Sequence, residues 1–232
     1  MAAHTLVTRN PYLRLAALAA LLAWPAVAAA ADLQPIQLPQ PQITGGMPLM
    51  QALAARHSTR EYAPTPLPPQ TLSNLLWAAF GVNRAATGGR TAPSAINWQE
   101  FDVYVTLPEG AYLYDAKANT LKPVAEGDLR GATGVQPFVK EAALDLVFVA
   151  DTTKMTRVRP EQRTFYIGAD AAFIAQNVYL FCASEGLACV VRASVDKEAA
   201  AKALKLKPTQ VVSLAQTVGY PKAAAKEAGE KP

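Results

Sequence analysis

Apolar positions recur along this chain with two clear periods. Over residues 161–185, Ile167, Ala171, Ile174, Val178 and Phe181 fall on one stripe of a 3.6-residue period, which predicts a long amphipathic helix closed by Gly186. Leu72, Leu75, Leu76, Ala79 and Phe80 repeat at the same spacing behind Leu67-Pro68-Pro69-Gln70. Proline is tolerated at a first helical position, and Gly81 stands where a C-terminal cap belongs. Met47 to about Ala55 reads as a shorter helix, and Lys197 to Leu204 as another with Asp196 as its N-cap.

Between these lie segments of strand character. Phe101-Asp102-Val103-Tyr104-Val105 alternates apolar and polar residues, and Ala111–Asp115 and Thr120–Val124 flank a Lys-Ala-Asn turn as a hairpin would. Leu144 to Ala150 is apolar throughout apart from Asp145, as expected of a central strand buried on both faces. Leu187–Val191 and Gln210–Val218 complete the set, and residues 82–92 read as a loop. The mixed order of elements predicts an α+β fold, a central sheet flanked by helices, with no internal repeat.

The N-terminus changes this picture. Arg9 and Arg14 precede an uncharged stretch from Leu15 to Ala31 that ends in small residues, so residues 1–30 read as a cleavable secretory signal. The apolar run falls short of the roughly 20 residues of a spanning helix. No second apolar segment is judged long enough to span, so stable membrane insertion after cleavage is not expected. The product would be exported, to the periplasm. Residues 31–46, dominated by Gln and Pro and ending in Gly45-Gly46, read as a linker or an extended arm. The domain proper is expected over 47–222, followed by a polar tail, 223–232.

The chain of 232 residues carries 22 basic and 18 acidic residues. Without Arg9 and Arg14 the net charge is only +2, which gives nucleic-acid binding no support. The two cysteines, Cys182 and Cys189, lack C-x-x-C spacing. They read more readily as buried thiols than as a bridge, although an oxidising compartment leaves pairing open. Beyond His4 in the signal segment, His57 is the only histidine, and no ligand cluster points to a metal.

Two segments carry candidate chemistry. Arg56-His57-Ser58-Thr59-Arg60-Glu61-Tyr62 gathers basic side chains and a hydroxyl, and a guanidinium fork suits a phosphate. Pro93-Ser94-Ala95-Ile96-Asn97-Trp98-Gln99 brings a hydroxyl and two amides, which suit the edge of a polar ring. Either alone is more often a solvated helix end or turn chemistry. Trp77, Phe80, Gln176 and Asn177 read first as packing residues, and no Ser-His-Asp arrangement or paired carboxylates are found.

With Leu72–Ala78, Arg90–Gln99, Gln176–Leu180 ahead of Gly186-Leu187, and the closing Val218-Gly219-Tyr220-Pro221, the order of motifs over about 47–221 resembles the nitroreductase family of flavoenzymes. Leu-Leu-Trp-Ala and Tyr-Leu-Tyr-Asp look most like its azoline-oxidising branch, which makes thiazoles and oxazoles. The resemblance implies a homodimer binding FMN at its interface. Arg56, His57, Ser58 and Arg60 would surround the phosphate and ribityl chain. Pro93, Ser94, Ala95 and Asn97 would approach from the other subunit, and Gln136 would meet the ring edge. Val191, Arg192, Ala193 and Ser194 would bring backbone N–H groups to flavin N5, with Arg192 a candidate charge beside the reduced ring.

Chemistry would then run through the flavin in two half-reactions, to or from a quinone, nitro compound or similar small molecule. No protein residue is expected to act as nucleophile or base. NAD(P)H is left open as donor, because an exported protein meets little of it. The alternatives are an exported dehydrogenase acting on a peptide or small molecule, and a flavin-fold binding protein without turnover. One departure is that only Lys222, Lys226 and Lys231 follow the last strand, where family members supply further basic residues for the phosphate.

Overall fold

A computed structural model describes Met1 and residues 32–222. Residues 2–31, over which nearly all of the expected secretory signal (1–30) falls, and the tail from 223 lie outside the described residues. Among the described residues four α-helices, α1 (Leu49–Ala55), α2 (Pro69–Phe80), α3 (Pro160–Glu185) and α4 (Lys197–Ala203), accompany ten strands. The strands are β1 (Ile36–Gln37), β2 (Tyr62–Ala63), β3 (Val82–Arg84), β4 (Gly89–Arg90), β5 (Phe101–Leu107), β6 (Gly110–Asp115), β7 (Thr120–Glu126), β8 (Leu144–Asp151), β9 (Ala188–Arg192) and β10 (Gln210–Pro221). Eight form one antiparallel sheet in the order β1-β7-β6-β5-β8-β10-β2, with β9 also paired to β10, while β3 and β4 form a separate ribbon.

The apolar run of β8 is explained by its place in the sheet. Leu144, Leu146, Phe148 and Ala150 join a core shared with α2 and α3, whereas Val147 and Val149 pack in a cluster with Ala200 of α4 and Leu204 just past its end. Both faces are covered, so the alternation of a half-exposed strand is lost. Asp145 is buried on this strand and fixes a polar feature taken up below.

Helix ends follow the expected chemistry with one exception. Asp196 accepts from Ala199 N–H at 3.0 Å at the start of α4. Gly186 closes α3 in the left-handed region, φ 67°, with Leu187 N–H donating to Cys182 O at 2.8 Å. Gly81 is not left-handed (φ −69°). Glycine is needed there because a Cβ would lie 2.5 Å from Trp77 Cδ1. On α3 the buried stripe ends in Cys182, and Phe181 sits at its partly exposed edge. By length and composition α3 could cross a membrane, which the sequence reading had not credited. Here it packs on the sheet as a core helix through Ile167, Ala171, Ile174 and Val178.

The 82–92 segment, read as a loop, folds back as β3 and β4, a pairing too short to show a hydrophobic period. Residues 32–46 are docked on their own chain. Ile36 and Gln37 pair with Leu121 and Thr120 of β7, and Leu38 enters the core. Asn119 Nδ2 donates to Pro39 O at 2.7 Å, Gln42 N–H to Asn74 Oδ1 at 2.8 Å and Met47 N–H to Ser184 Oγ at 2.8 Å. The arm is therefore held by its pairing with β7, by Leu38 with Leu33 and Ile36 against the core, and by side chains of the body that bond its backbone. Both cysteines are unpaired and buried.

Candidate functional site

Arg56 is the residue at which α1 stops; its N–H still donates to Ala52 O at 2.9 Å while its own backbone turns extended. The chain then crosses α3 and β9. Ser58 Oγ and the Tyr179 hydroxyl share a hydrogen bond at 2.7 Å, Val191 N–H donates to the same hydroxyl at 3.0 Å, and Thr59 N–H donates to Cys189 O at 3.0 Å. The Arg56 guanidinium lies 5.3 Å from the centroid of the Tyr179 ring, within cation–π range. His57 is exposed and turns its Nδ1 to Ala55 O at 2.8 Å. Among the described residues neither Arg56 nor Arg60 has a carboxylate within ion-pair distance. The Arg56 guanidinium over the ring whose hydroxyl fixes Ser58, with Arg60 two residues further on, is suited to an anion.

Immediately after this segment β2 pairs with the end of β10, Tyr220 opposite Ala63 and Pro221 opposite Tyr62. Lys222 N–H donates to Glu61 O at 3.1 Å. The first basic residue after the last strand is thus brought beside Arg60 and Glu61. Tyr62, part of the motif on sequence grounds, is a buried edge-strand residue whose hydroxyl donates to Thr59 O at 2.7 Å. Burial pushes its phenol well above the ordinary range.

The end of β9 and the segment before Gln136 form the second part. Val191 is half-buried, while Ala193 and Ser194 are exposed on the turn leading to α4. Gln136 starts a short 3-10 turn, Pro137–Lys140, and its Oε1 is buried with no partner among the described residues. A recess of about 570 Å³ opens here, lined by Gly134, Gln136, Lys140 and Asp196 among others.

Arg192 differs from its sequence assignment. Its side chain is buried, with Nη2 donating to Asp145 Oδ1 at 2.8 Å, Nη1 to Thr133 O at 2.8 Å and Nε to Thr217 Oγ1 at 3.0 Å. A guanidinium committed to three partners inside the sheet is not a free charge beside a ring. Burial pushes Asp145 up to about 7, with the Arg192 charge pulling it the other way.

The third part, Pro93–Asn97, is held elsewhere on the chain. Ala95 N–H donates to Asp170 Oδ2 at 2.9 Å, and Ser94 Oγ accepts from Gln99 N–H at 2.9 Å. Asn97 Oδ1 accepts from Gln99 Nε2 at 3.1 Å. Ile96, Asn97 and Gln99 all have positive φ, and Ile96, β-branched at φ 42°, is 68% exposed. Such a conformation is strained for isoleucine. Asp170 and Tyr179 flank the buried stripe of α3 on opposite sides and lie about 13 Å apart along the helix rise. One chain therefore joins Arg56–Arg60 to the end of β9 and holds Pro93–Asn97 apart from them.

Sequence reasoning missed Tyr179, Asp145 and Asp170 as parts of this arrangement. A signal was present for Asp145: a lone carboxylate in an apolar strand needs a buried partner, and Arg192 stands next to the apolar run that became β9.

The sequence profile of the nitroreductase family matches residues 53–220. The chain belongs to the nitroreductase family. A nitroreductase relative from Methanocaldococcus jannaschii is 32% identical over 178 residues, covering 72% of this chain and 88% of its own. The crystal structure of a nitroreductase relative from Ralstonia eutropha has 46% identity and a TM-score of 0.78, over 82% of this chain and 90% of its own. The E. coli microcin synthetase McbBCD complex, solved with truncated pro-MccB17 bound, shares the fold at 18% identity and a TM-score of 0.62, over 80% and 77% of the two chains. As a nitroreductase-family chain, this protein is an oxidoreductase, of a family that generally binds FMN.

Its residues fit that cofactor. Arg56 and Arg60 offer unpaired donors to a phosphate, Gln136 Oε1 is a buried acceptor in want of a heteroaromatic N–H, and the Ala193–Ser194 turn is open. A second recess of about 550 Å³ lies between the arm, α2 and α3, lined in part by Gln42, Asn74, Trp77, Thr91 and Phe181, and it contains none of these residues.

Proposed function

We propose that this protein is an FMN-dependent oxidoreductase that acts as an exported homodimer on a small organic electron acceptor such as a quinone or nitro compound. The observation that carries the reading is the joining of Arg56–Ser58 through Tyr179 to the end of β9, with neither Arg56 nor Arg60 ion-paired among the described residues. When bound, FMN supplies a ring that takes up a hydride and passes electrons on. Arg56 and Arg60 bind and neutralise its phosphate, with Lys222 close by on the backbone. Ser58, fixed by Tyr179, orients the ribityl chain. Gln136 reads the ring edge, and N–H groups of Ala193 and Ser194 are held toward the reacting atom.

The dimer is supported by apolar side chains left on one protomer's surface: Leu49, Met50 and Leu53 on α1, Phe165 and Phe173 on α3, and Ile96. Patches of this kind mark interfaces, and a second copy would bring a Pro93–Asn97 loop to the Arg56 cradle. The leader-like residues 1–30 support export.

The decisive experiment is the absorbance spectrum of the purified protein. A flavin band that bleaches under anaerobic NADPH supports the reading with a nicotinamide donor. A flavin band that bleaches only with other donors supports a periplasmic electron carrier. Protein that binds no FMN would be a binding protein of the same fold, and the proposal would be wrong.

A further inference from the structure

Arg192 is the last residue of β9. Its guanidinium reaches Asp145 on β8 and Thr217 on β10, and also the Thr133 carbonyl at the head of the segment that carries Gln136. The same segment makes room for it. At Gly134 a Cβ would collide with Arg192 Nη1, and Gly134 needs no left-handed backbone, so its lack of a side chain serves the guanidinium. Thr133 is itself buried, with its hydroxyl donating to Arg130 O at 2.8 Å. One residue before Arg192, Val191 N–H holds Tyr179 and through it Ser58.

A buried ion pair adds little net stability, since apolar residues of the same volume often serve as well. What it adds is a fixed geometry, because the planar fork satisfies partners in three directions at once.

We propose that Arg192 is a positioning residue that clamps the 133–136 segment to the end of β9, so that Gln136 and the Ala193–Ser194 turn face the cofactor as one rigid unit. It touches no reacting atom. The clamp rests on the FMN reading only for what the two segments face; the clamping itself is a property of the apoprotein.

Three variants test it. Arg192→Lys keeps the charge without the fork. Gly134→Ala keeps Arg192 and denies it its place. The double variant Asp145→Leu with Arg192→Met removes both charges, so that no unpaired ion is left to unfold the sheet. Hydrogen–deuterium exchange of the apoprotein should show residues 133–139 and 193–195 exchanging about tenfold faster in all three, with β5 and α2 unchanged. In the FMN-loaded proteins the dissociation constant should rise about tenfold, and the flavin midpoint potential and visible band shape should shift, least in Arg192→Lys.

A double variant with wild-type exchange in both segments, or with wild-type FMN affinity and potential, overturns the proposal. If wild-type protein takes up no FMN, the flavin reading fails, and the exchange result alone decides for or against the clamp.

Discussion

At the scale of single residues, Arg56 is the side chain on which FMN retention should depend most. Its guanidinium has no carboxylate partner among the described residues and is steadied by the Tyr179 ring. Arg56→Ala should remove a charge-assisted contact of roughly 1.5–3 kcal/mol, raising the FMN dissociation constant about ten- to a hundredfold. Its melting temperature should then depend more steeply on added FMN. Retention of flavin through dialysis at the wild-type level would rule the role out. Arg56 and Ser58 stand out in the sequence as candidates because a phosphate demands particular side chains. Arg192 was misread because position in a motif does not reveal where a side chain points. Glu100 gave no signal at all. It is fully buried beside Asp170, its carboxylate oxygens have no hydrogen-bond partner among the described residues, and burial chiefly, then Asp170, pushes it from 4.5 up to about 7 while Lys154 pulls it down. A carboxyl with a raised folded-state pKa favours folding when protonated. Its contribution is complete below about 4.5 and is lost as pH rises through about 7. Thermal melts from pH 5 to 8 should show wild type losing stability across that window and Glu100→Gln losing less. Parallel curves would show that Glu100 does not titrate there.

At the scale of elements, helical and strand periods placed α2, α3, β5, β8 and β10 because each buries a long, regular apolar face. The elements that escaped are those ordered by other parts of the chain. β2 is two residues held by β10, β3 and β4 have no apolar period, and β1 belongs to a Gln/Pro segment that shows no reason of its own to fold. Asn119 is central to that last case. It sits at φ 50° and donates to Pro39 O and Ser73 Oγ while accepting from the Tyr114 hydroxyl. Asn119→Gly keeps the left-handed backbone and removes the amide. Limited proteolysis should then cut within 32–46 well before the body is attacked; cleavage at the wild-type rate would mean that β1 and Leu38 hold the arm unaided. α3 is likewise more than a packing helix, since Tyr179 on one flank holds Ser58 and Val191 while Asp170 on the other holds Ala95. Tyr179→Phe leaves the ring under Arg56 and removes both hydroxyl bonds. Urea unfolding should show a loss of about 1–3 kcal/mol, together with weaker FMN binding. An unchanged FMN affinity would remove Ser58 from the site.

At the scale of the whole molecule, the residues expected to form the site fall into two separate groups. One chain gathers Arg56–Arg60, Gln136 and the Ala193–Ser194 turn around β9, and it holds Pro93–Asn97 on the far flank of α3, against Asp170. The strained, exposed Ile96 and the apolar faces of α1 and α3 are difficult to account for in a monomer, since strain of this kind persists only when surrounding contacts enforce it. A second copy of the chain would cover those faces and complete each cradle with the partner's loop, giving two equivalent sites per dimer. Complementation tests this directly. Arg56→Ala damages one half of a site; Asn97→Gly, which tolerates the positive φ at that position, damages the other. Each homodimer then carries two sites with one damaged half. In a mixed dimer both changes fall in the same site and the second site is wild type. Unfolding the two variants together and refolding them should therefore restore tightly bound flavin in the heterodimers, at close to one FMN per heterodimer, measured by flavin absorbance on tag-separated species. If each site were built within one chain, every site in the mixture would still carry one lesion, and no flavin would be recovered.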